Sequence, residues 1–266
     1  MLTAPQRARI HVVLVSPRNP LNIGAAARAM ANFGFEHLTV VAPYEAHWRE
    51  AKSAVGASNL LKNAKRAESL SEAIADCTFV VGTAALTRRK PEQPFVSLPD
   101  LPPIVQHELA RGGRVALVFG SEKRGLTRED LSHCHLLVET PTDPRQPSMN
   151  LGQAVAVCLY ELATRPALRA RELGAPGPSL LGTWEIAPHD ADPPASAADL
   201  DLLAAIVEET MQAANYSPSA MRKANRHDLH LLLRRLTLAH RDVRRILGFF
   251  RRILWRIEHR SDQNQI

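Results

Sequence analysis

The stretch 115–162 constrains the fold more than any other part of the chain. It opens with the apolar run VALVF, residues 115–119, short and branched enough for a buried strand. Gly120 ends that run, and the polar turn Ser121-Glu122-Lys123-Arg124-Gly125 follows. Thr127 and Asp130 have the spacing of a capping box, which predicts a short helix. A second apolar run at 136–138 predicts another strand, followed by a loop broken by Pro141, Pro144 and Pro147. Ser148 and Asn150 then stand at the mouth of a long apolar helix over 150–162. Open α/β sheets bind ligands beyond the carboxyl ends of their strands, so the loops after Phe119 and Glu139 are the expected pocket. Taken singly, either turn serves as well to cap a helix.

Upstream, apolar runs at 10–15, 38–41 and 79–81 predict three more strands. Helices are expected at 22–33, capped by Asn22, at 48–54, and after a capping Ser71. Strands alternating with helices indicate an α/β fold with a mostly parallel sheet. The helix at 22–33 is rich in alanine around Gly24, which suits close packing against a sheet or a second subunit. Gly82-Thr83-Ala84-Ala85 closes the third strand, again at a carboxyl end. No G-x-G-x-x-G follows the first strand and no Walker sequence occurs, which counts against dinucleotide and P-loop enzymes. The polar loop 87–103 carries Arg88, Arg89 and Lys90, placed either to touch a nucleic-acid backbone or simply to face water. His133-Cys134-His135 is not read as a zinc site, because neighbours on a strand point to opposite faces and no spaced second pair lies near.

After Thr164 the texture changes. Residues 165–198 hold six prolines and read as a linker between a domain at 1–164 and a helical region at 199–266. Amphipathic helices are expected at 200–216, 228–240 and 242–258. Residues 221–260 carry twelve Lys and Arg against three Asp and Glu, a local +9 that leaves −3 for the rest of a +6 chain. Such a block meets a polyanion or coats a solvated helix face, and composition leaves both open. Three cysteines without paired spacing, no signal-peptide pattern and no run of eighteen apolar residues point to a reducing cytoplasm and no membrane span.

FGSEKRGL at 119–126 followed by PSMNLGQAVAVCLYE at 147–161 resembles the second and third motifs of the SPOUT class of RNA methyltransferases, the TrmH/SpoU superfamily. Asn22-Ile23-Gly24 with Arg28 resembles the first motif, and the basic helical extension resembles that of the TrmJ-type branch. The resemblance covers about residues 10–163. It implies a C-terminal trefoil knot, which the general rarity of knots would otherwise exclude, and a small all-helical domain after it. It also implies 2′-O-methylation of transfer RNA, at nucleotide 32 of the anticodon loop, with S-adenosylmethionine as donor, no metal, and a homodimer sharing the site.

By that resemblance Arg28 is the family's essential arginine, and Asn22, Glu122, Ser148 and Asn150 form or brace the catalytic site. Thr83, Ala84, Ala85, Gly120, Thr140, Pro147, Ser148 and Met149 are expected to line the donor pocket. Two departures stand out. Met149 replaces a usual leucine, and Leu86-Thr87 separates the Ala85 segment from Arg88 and Arg89. Two other functions fit the same residues: ribose methylation of ribosomal RNA, and RNA binding with a retired donor pocket.

Overall fold

Among the described residues, seven strands form one sheet in the order β3-β2-β1-β6-β4-β7-β5, and every pairing between them is parallel. The strands are β1 (Ile10–Val15), β2 (His37–Val41), β3 (Lys65–Ala67), β4 (Phe79–Thr83), β5 (Phe95–Ser97), β6 (Val115–Phe119) and β7 (Leu136–Glu139). The computed structural model describes residues 2–85, 92–164, 192–216 and 219–263. Between the strands lie α1 (Ala4–Arg7), α2 (Pro20–Phe33), α3 (Ser58–Asn63), α4 (Leu70–Ala73), α5 (Leu101–Ala110) and α6 (Arg128–Ser132). Then come α7 (Leu151–Thr164), α8 (Ala197–Ala213), α9 (Arg222–Arg235) and α10 (His240–Gln263).

The central strands are continuous apolar runs because both faces of the sheet are covered. Val12 and Leu14 of β1, with Leu117 and Phe119 of β6, join the core beneath α2, α5 and α7. Their alternates Val13, Val15, Ala116 and Val118 face a second core beneath α4 and α6. Burial on both faces explains why alternation is absent from the sequence.

Several local expectations are corrected. The segment expected to be helical at 48–54 is only a 3₁₀ turn, Trp48–Glu50. Trp48 is fully buried, and Ser53 donates to Leu21 O at 2.7 Å against the glycine face of α2. Helix α2 begins at Pro20 with Asn19 as cap, not at Asn22; Asn19 Oδ1 accepts from Leu21 N at 2.9 Å, and proline suits the first helical turn. Ser69, not Ser71, caps α4 by accepting from Glu72 N. The supposed loop at 87–103 contains β5, and α5 starts inside it, its prolines placed in the first turn where no N–H is needed. β3 escaped notice because two of its three residues are charged, as suits an edge strand.

Helices α8, α9 and α10 enclose a cluster of their own, built on Leu200, Leu203, Leu233, Val243 and Leu247. Residues 165–191 of the expected linker lie outside the described residues. Residues 192–198 are tied in: Ala197 N donates to Cys77 O at 2.7 Å, and Ala195 N donates to Leu238 O at 3.0 Å. Arg234, 3% exposed, donates to Asp201 Oδ1 at 2.7 Å and to His133 O at 3.2 Å. Ser71 donates to the other Asp201 oxygen. The C-terminal helices are therefore bolted to α4 and to the end of α6, beside the sheet, by the Arg234–Asp201 pair.

Candidate active site

β6 delivers the chain to Gly120, where the backbone folds back so tightly that a Cβ would lie 2.1 Å from Gly125 C. Gly125, with φ 65°, closes the turn by donating its N–H to Ser121 O at 2.8 Å. This turn aims the Glu122 carboxylate at the loop between β1 and α2. Glu122 Oε2 accepts from Arg18 N at 2.9 Å, and Oε1 accepts from Asn19 N at 3.1 Å and Asn22 Nδ2 at 2.8 Å. Partial burial alone would raise the Glu122 pKa, but the donors of Asn22, Arg18 and Asn19 outweigh it and hold the carboxyl below its usual value. Glu122 is an ionised brace.

The row continues into the third motif. Asn150 Nδ2 donates to Asn22 Oδ1 at 2.9 Å, while Asn150 Oδ1 accepts from Gly152 N at 2.9 Å at the start of α7. Helices α2 and α7 approach closely here, since a Cβ on Gly152 would come within 2.7 Å of Ala25 Cβ. Glu122, Asn22 and Asn150 are thus brought together. Arg28 lies six residues along α2 from Asn22, about 9 Å of helix rise. It is exposed, with no hydrogen bond or ion pair of its own among the described residues. Ser148 is exposed, two residues before Asn150, and is not bonded to the row.

Of the expected donor-pocket residues, Thr83, Ala84, Ala85, Gly120 and Thr140 end or follow three adjacent strands, β4, β6 and β7, while Pro147, Ser148 and Met149 lie on the loop before α7. Thr83 Oγ1 donates to Val118 O at 3.1 Å, and Ala84 N donates to Val138 O at 3.0 Å. Gly120 and Thr140 follow the neighbouring strands β6 and β7. Pro147 O accepts from Thr142 Oγ1 at 3.3 Å, and Pro147 and Met149 are half-buried. Thr83, Ala84 and Ala85 thus stand beside Gly120 and Thr140 at neighbouring strand ends, a shelf of small side chains and backbone.

The sequence placed a pocket in the loops beyond Phe119 and Glu139; a further cleft of about 410 Å³ opens beyond β1, β2 and β6. It uses the first of those loops, through Ser121, Lys123 and Arg124, but not the second. The backbone amides of Arg18 and Asn19 were also missed. A sequence signal for this loop was Pro20, which suits the first helical turn and makes Asn19 the cap. Arg88, Arg89 and Lys90 lie outside the described residues. His135 Nδ1 accepts from Val80 N at 3.1 Å, so this ring is spent on backbone, and burial drives its pKa far down.

The model of the SpoU rRNA methylase family matches residues 9–160. Over 155 residues the chain is 42% identical to a tRNA (cytidine/uridine/adenosine-2′-O-)-methyltransferase, TrmJ, of Pseudomonas aeruginosa; the match covers 58% of this chain and 60% of that protein's length. It is 33% identical over 262 residues to the tRNA (cytidine/uridine-2′-O-)-methyltransferase TrmJ of Escherichia coli strain K12, covering 96% of this chain and 98% of the relative. A crystal structure of TrmJ from Z. mobilis ZM4 superposes with a TM-score of 0.76 at 25% identity, over 91% of this chain and 98% of that one. No described helix is long and apolar enough to cross a membrane.

Proposed function

This chain belongs to the SpoU rRNA methylase family, and we propose that it methylates a ribose 2′-hydroxyl of transfer RNA, at nucleotide 32 of the anticodon loop. The observation that carries this reading is the row Glu122–Asn22–Asn150, which ties the three motif segments into one site. Relatedness to a tRNA methyltransferase along 96% of the chain, C-terminal helices included, favours transfer RNA over ribosomal RNA.

S-adenosylmethionine, when bound, supplies an electrophilic sulfonium methyl group. Thr83, Ala84, Ala85, Gly120, Thr140, Pro147, Ser148 and Met149 would hold it on the shelf at the ends of β6, β4 and β7. A ribose hydroxyl is a weak nucleophile at neutral pH, so the site must align it and stabilise the charge that develops on its oxygen. Arg28 serves both needs as a permanent cation: it grips a phosphate and steadies the alkoxide, while the hydroxyl proton leaves to water rather than to the guanidinium. Glu122 and Asn22 act by positioning the loop before α2. Ser148 offers a hydroxyl to the ribose, beside the fixed Asn150. No residue of this set calls for a metal.

The segment from β7 to α7 is proposed to thread as a trefoil knot. A second copy is proposed to cover the exposed face of α2 and α7, where Leu21, Arg28, Val157 and Tyr160 stand out, so that each site is shared. The basic α10 would face RNA, and the cytoplasm is the compartment that fits. Incubation with donor and separately purified transfer and ribosomal RNA, followed by mass-spectrometric mapping of methylated ribose, tests the reading. Methyl on transfer RNA supports it; methyl on ribosomal RNA alone moves the substrate; RNA binding without methyl transfer overturns the enzyme reading.

A further inference from the structure

The cleft beyond β1, β2 and β6 belongs neither to the donor shelf nor to the Glu122 row. Its wall includes Ser16, Arg18, Tyr44, Lys123, Arg124 and Thr127. At about 410 Å³ it is within the range of small-ligand sites. Tyr44 is 71% exposed, and the Arg18 guanidinium stands 5.0 Å from its ring centroid. Most of the ring is left open to take a second flat group. Tyr44 N donates to Pro17 O at 3.2 Å, which ties the Tyr44 backbone to the Arg18 loop.

The charges of the cleft are one-sided. Arg18, Lys123 and Arg124 face it against a single acid, Asp130. That carboxylate is already spent, accepting from Thr127 N at 2.8 Å and Thr127 Oγ1 at 2.7 Å. Lys123 has no acidic partner among the described residues. Two non-glycine residues at the floor, Ser16 and Ala42, hold left-handed backbone at φ 48° and 41°. Such conformations persist where the surroundings over-determine them, often beside ligands.

We infer that this cleft binds a second nucleotide of the same RNA, its base stacked on Tyr44 and its phosphate against Arg18 and Lys123. An aromatic platform with cations beside it takes an unpaired nucleotide, since stacking accepts the base while the cations track the backbone. The cleft adjoins the proposed ribose site through one loop: the Arg18 amide donates to Glu122 Oε2, and the same carboxylate holds Asn22. The inference rests on the proposed function for its ligand but adds a flanking contact that the methyl-transfer residues do not supply. It selects an unpaired strand over a duplex, because a paired base cannot lie on Tyr44.

The test uses the full-length protein with Tyr44→Ala, Tyr44→Phe and Lys123→Ala. Affinity for unmodified transfer RNA is measured by filter retention at several salt concentrations, and donor affinity by calorimetry. Tyr44→Ala should weaken RNA binding roughly five- to hundredfold, with Tyr44→Phe near wild type because the ring remains. Lys123→Ala should flatten the log–log salt slope by about 0.7–0.9. Donor affinity should hold in all three, and an exposed ring puts folding at little risk. Tyr44→Ala binding RNA within twofold of wild type overturns the inference, as does equal weakening by Tyr44→Phe. Methylation by the wild type decides the proposed function separately: an active wild type with an indifferent Tyr44 sinks only the flanking site.

Discussion

Asn150 Nδ2 donates to Asn22 Oδ1 at 2.9 Å across 128 residues of chain. The amide orientations are forced on both sides. Asn22 spends its Nδ2 on Glu122 and offers only its oxygen, while Asn150 spends its oxygen on the α7 amides and offers only its nitrogen. The two residues couple the loop after β1 to the mouth of α7.

Asn22→Asp should therefore do more harm than its size suggests. It removes the donor to Glu122 and sets a second carboxylate against it. Methyl transfer should fall at least tenfold and stability by about 1 kcal/mol. Activity and thermal midpoint within error of wild type would show that the row is ornamental.

Gly120→Val should fail as a fold before it fails as a binding site. A Cβ here meets the Gly125–Leu126 peptide at 2.1–2.2 Å. Backbone cannot move aside as a flexible side chain can. A soluble variant with an unchanged unfolding midpoint contradicts the geometry.

Acid should loosen the bolt between the C-terminal helices and the elements beside the sheet. Burial, then the neighbouring His133, pushes the His230 pKa down to about 4, although Asp201 pulls the other way. Burial alone would raise Asp201, yet His133, Arg234 and Ser71 hold it well below the usual carboxylate range. Unfolded chain takes a proton on His230 near pH 6.5 while the folded chain stays neutral to about 4. This contribution is full above pH 6.5 and declines as pH falls toward 4, by up to about 1.4 kcal/mol per unit. Asp201 adds loss in the same direction at still lower pH. Urea midpoints should fall between pH 7 and 5, and less steeply in His230→Asn. Equal slopes in both proteins would remove His230 from the account.

The role of α10 in RNA binding is better tested by substitution than by cutting the chain near residue 187. Removal of Ala197 and Arg234 would strip atoms from the second sheet core and from His133. Arg245 and Arg252 are exposed on α10, and Arg252 lies 4.5 Å over the Trp255 ring. Each change to alanine should flatten the salt dependence of RNA binding by about 0.7–0.9 in log–log slope. Unchanged slopes would make the face a solvated one.

The five strands read from sequence are those with apolar runs, because doubly buried parallel strands leave no other trace. β3 and β5 lacked that trace, being short edge strands with charged or half-exposed residues. The members of the Glu122 row were named from motifs, yet their bonding was hidden, since it joins residues 100 and 128 positions apart. The Tyr44 cleft was invisible for the same reason: Ser16, Ala42 and Ser121 become neighbours only when β1, β2 and β6 pair. Ser71 was misassigned as a cap because a serine near a helix start looks alike whether it bonds an amide or a distant Asp201.

The central claim is that Arg28, exposed and unpaired among the described residues, stabilises charge on a ribose oxygen. Its most direct test is single-turnover methylation of transfer RNA by wild type and Arg28→Ala, with the methylated ribose mapped and donor affinity measured on the same preparations. The account predicts methyl at one anticodon-loop ribose for wild type, a rate lower by ~10²–10³ in the variant, and unchanged donor affinity. A variant turning over within a few-fold of wild type, with the same product, would contradict it.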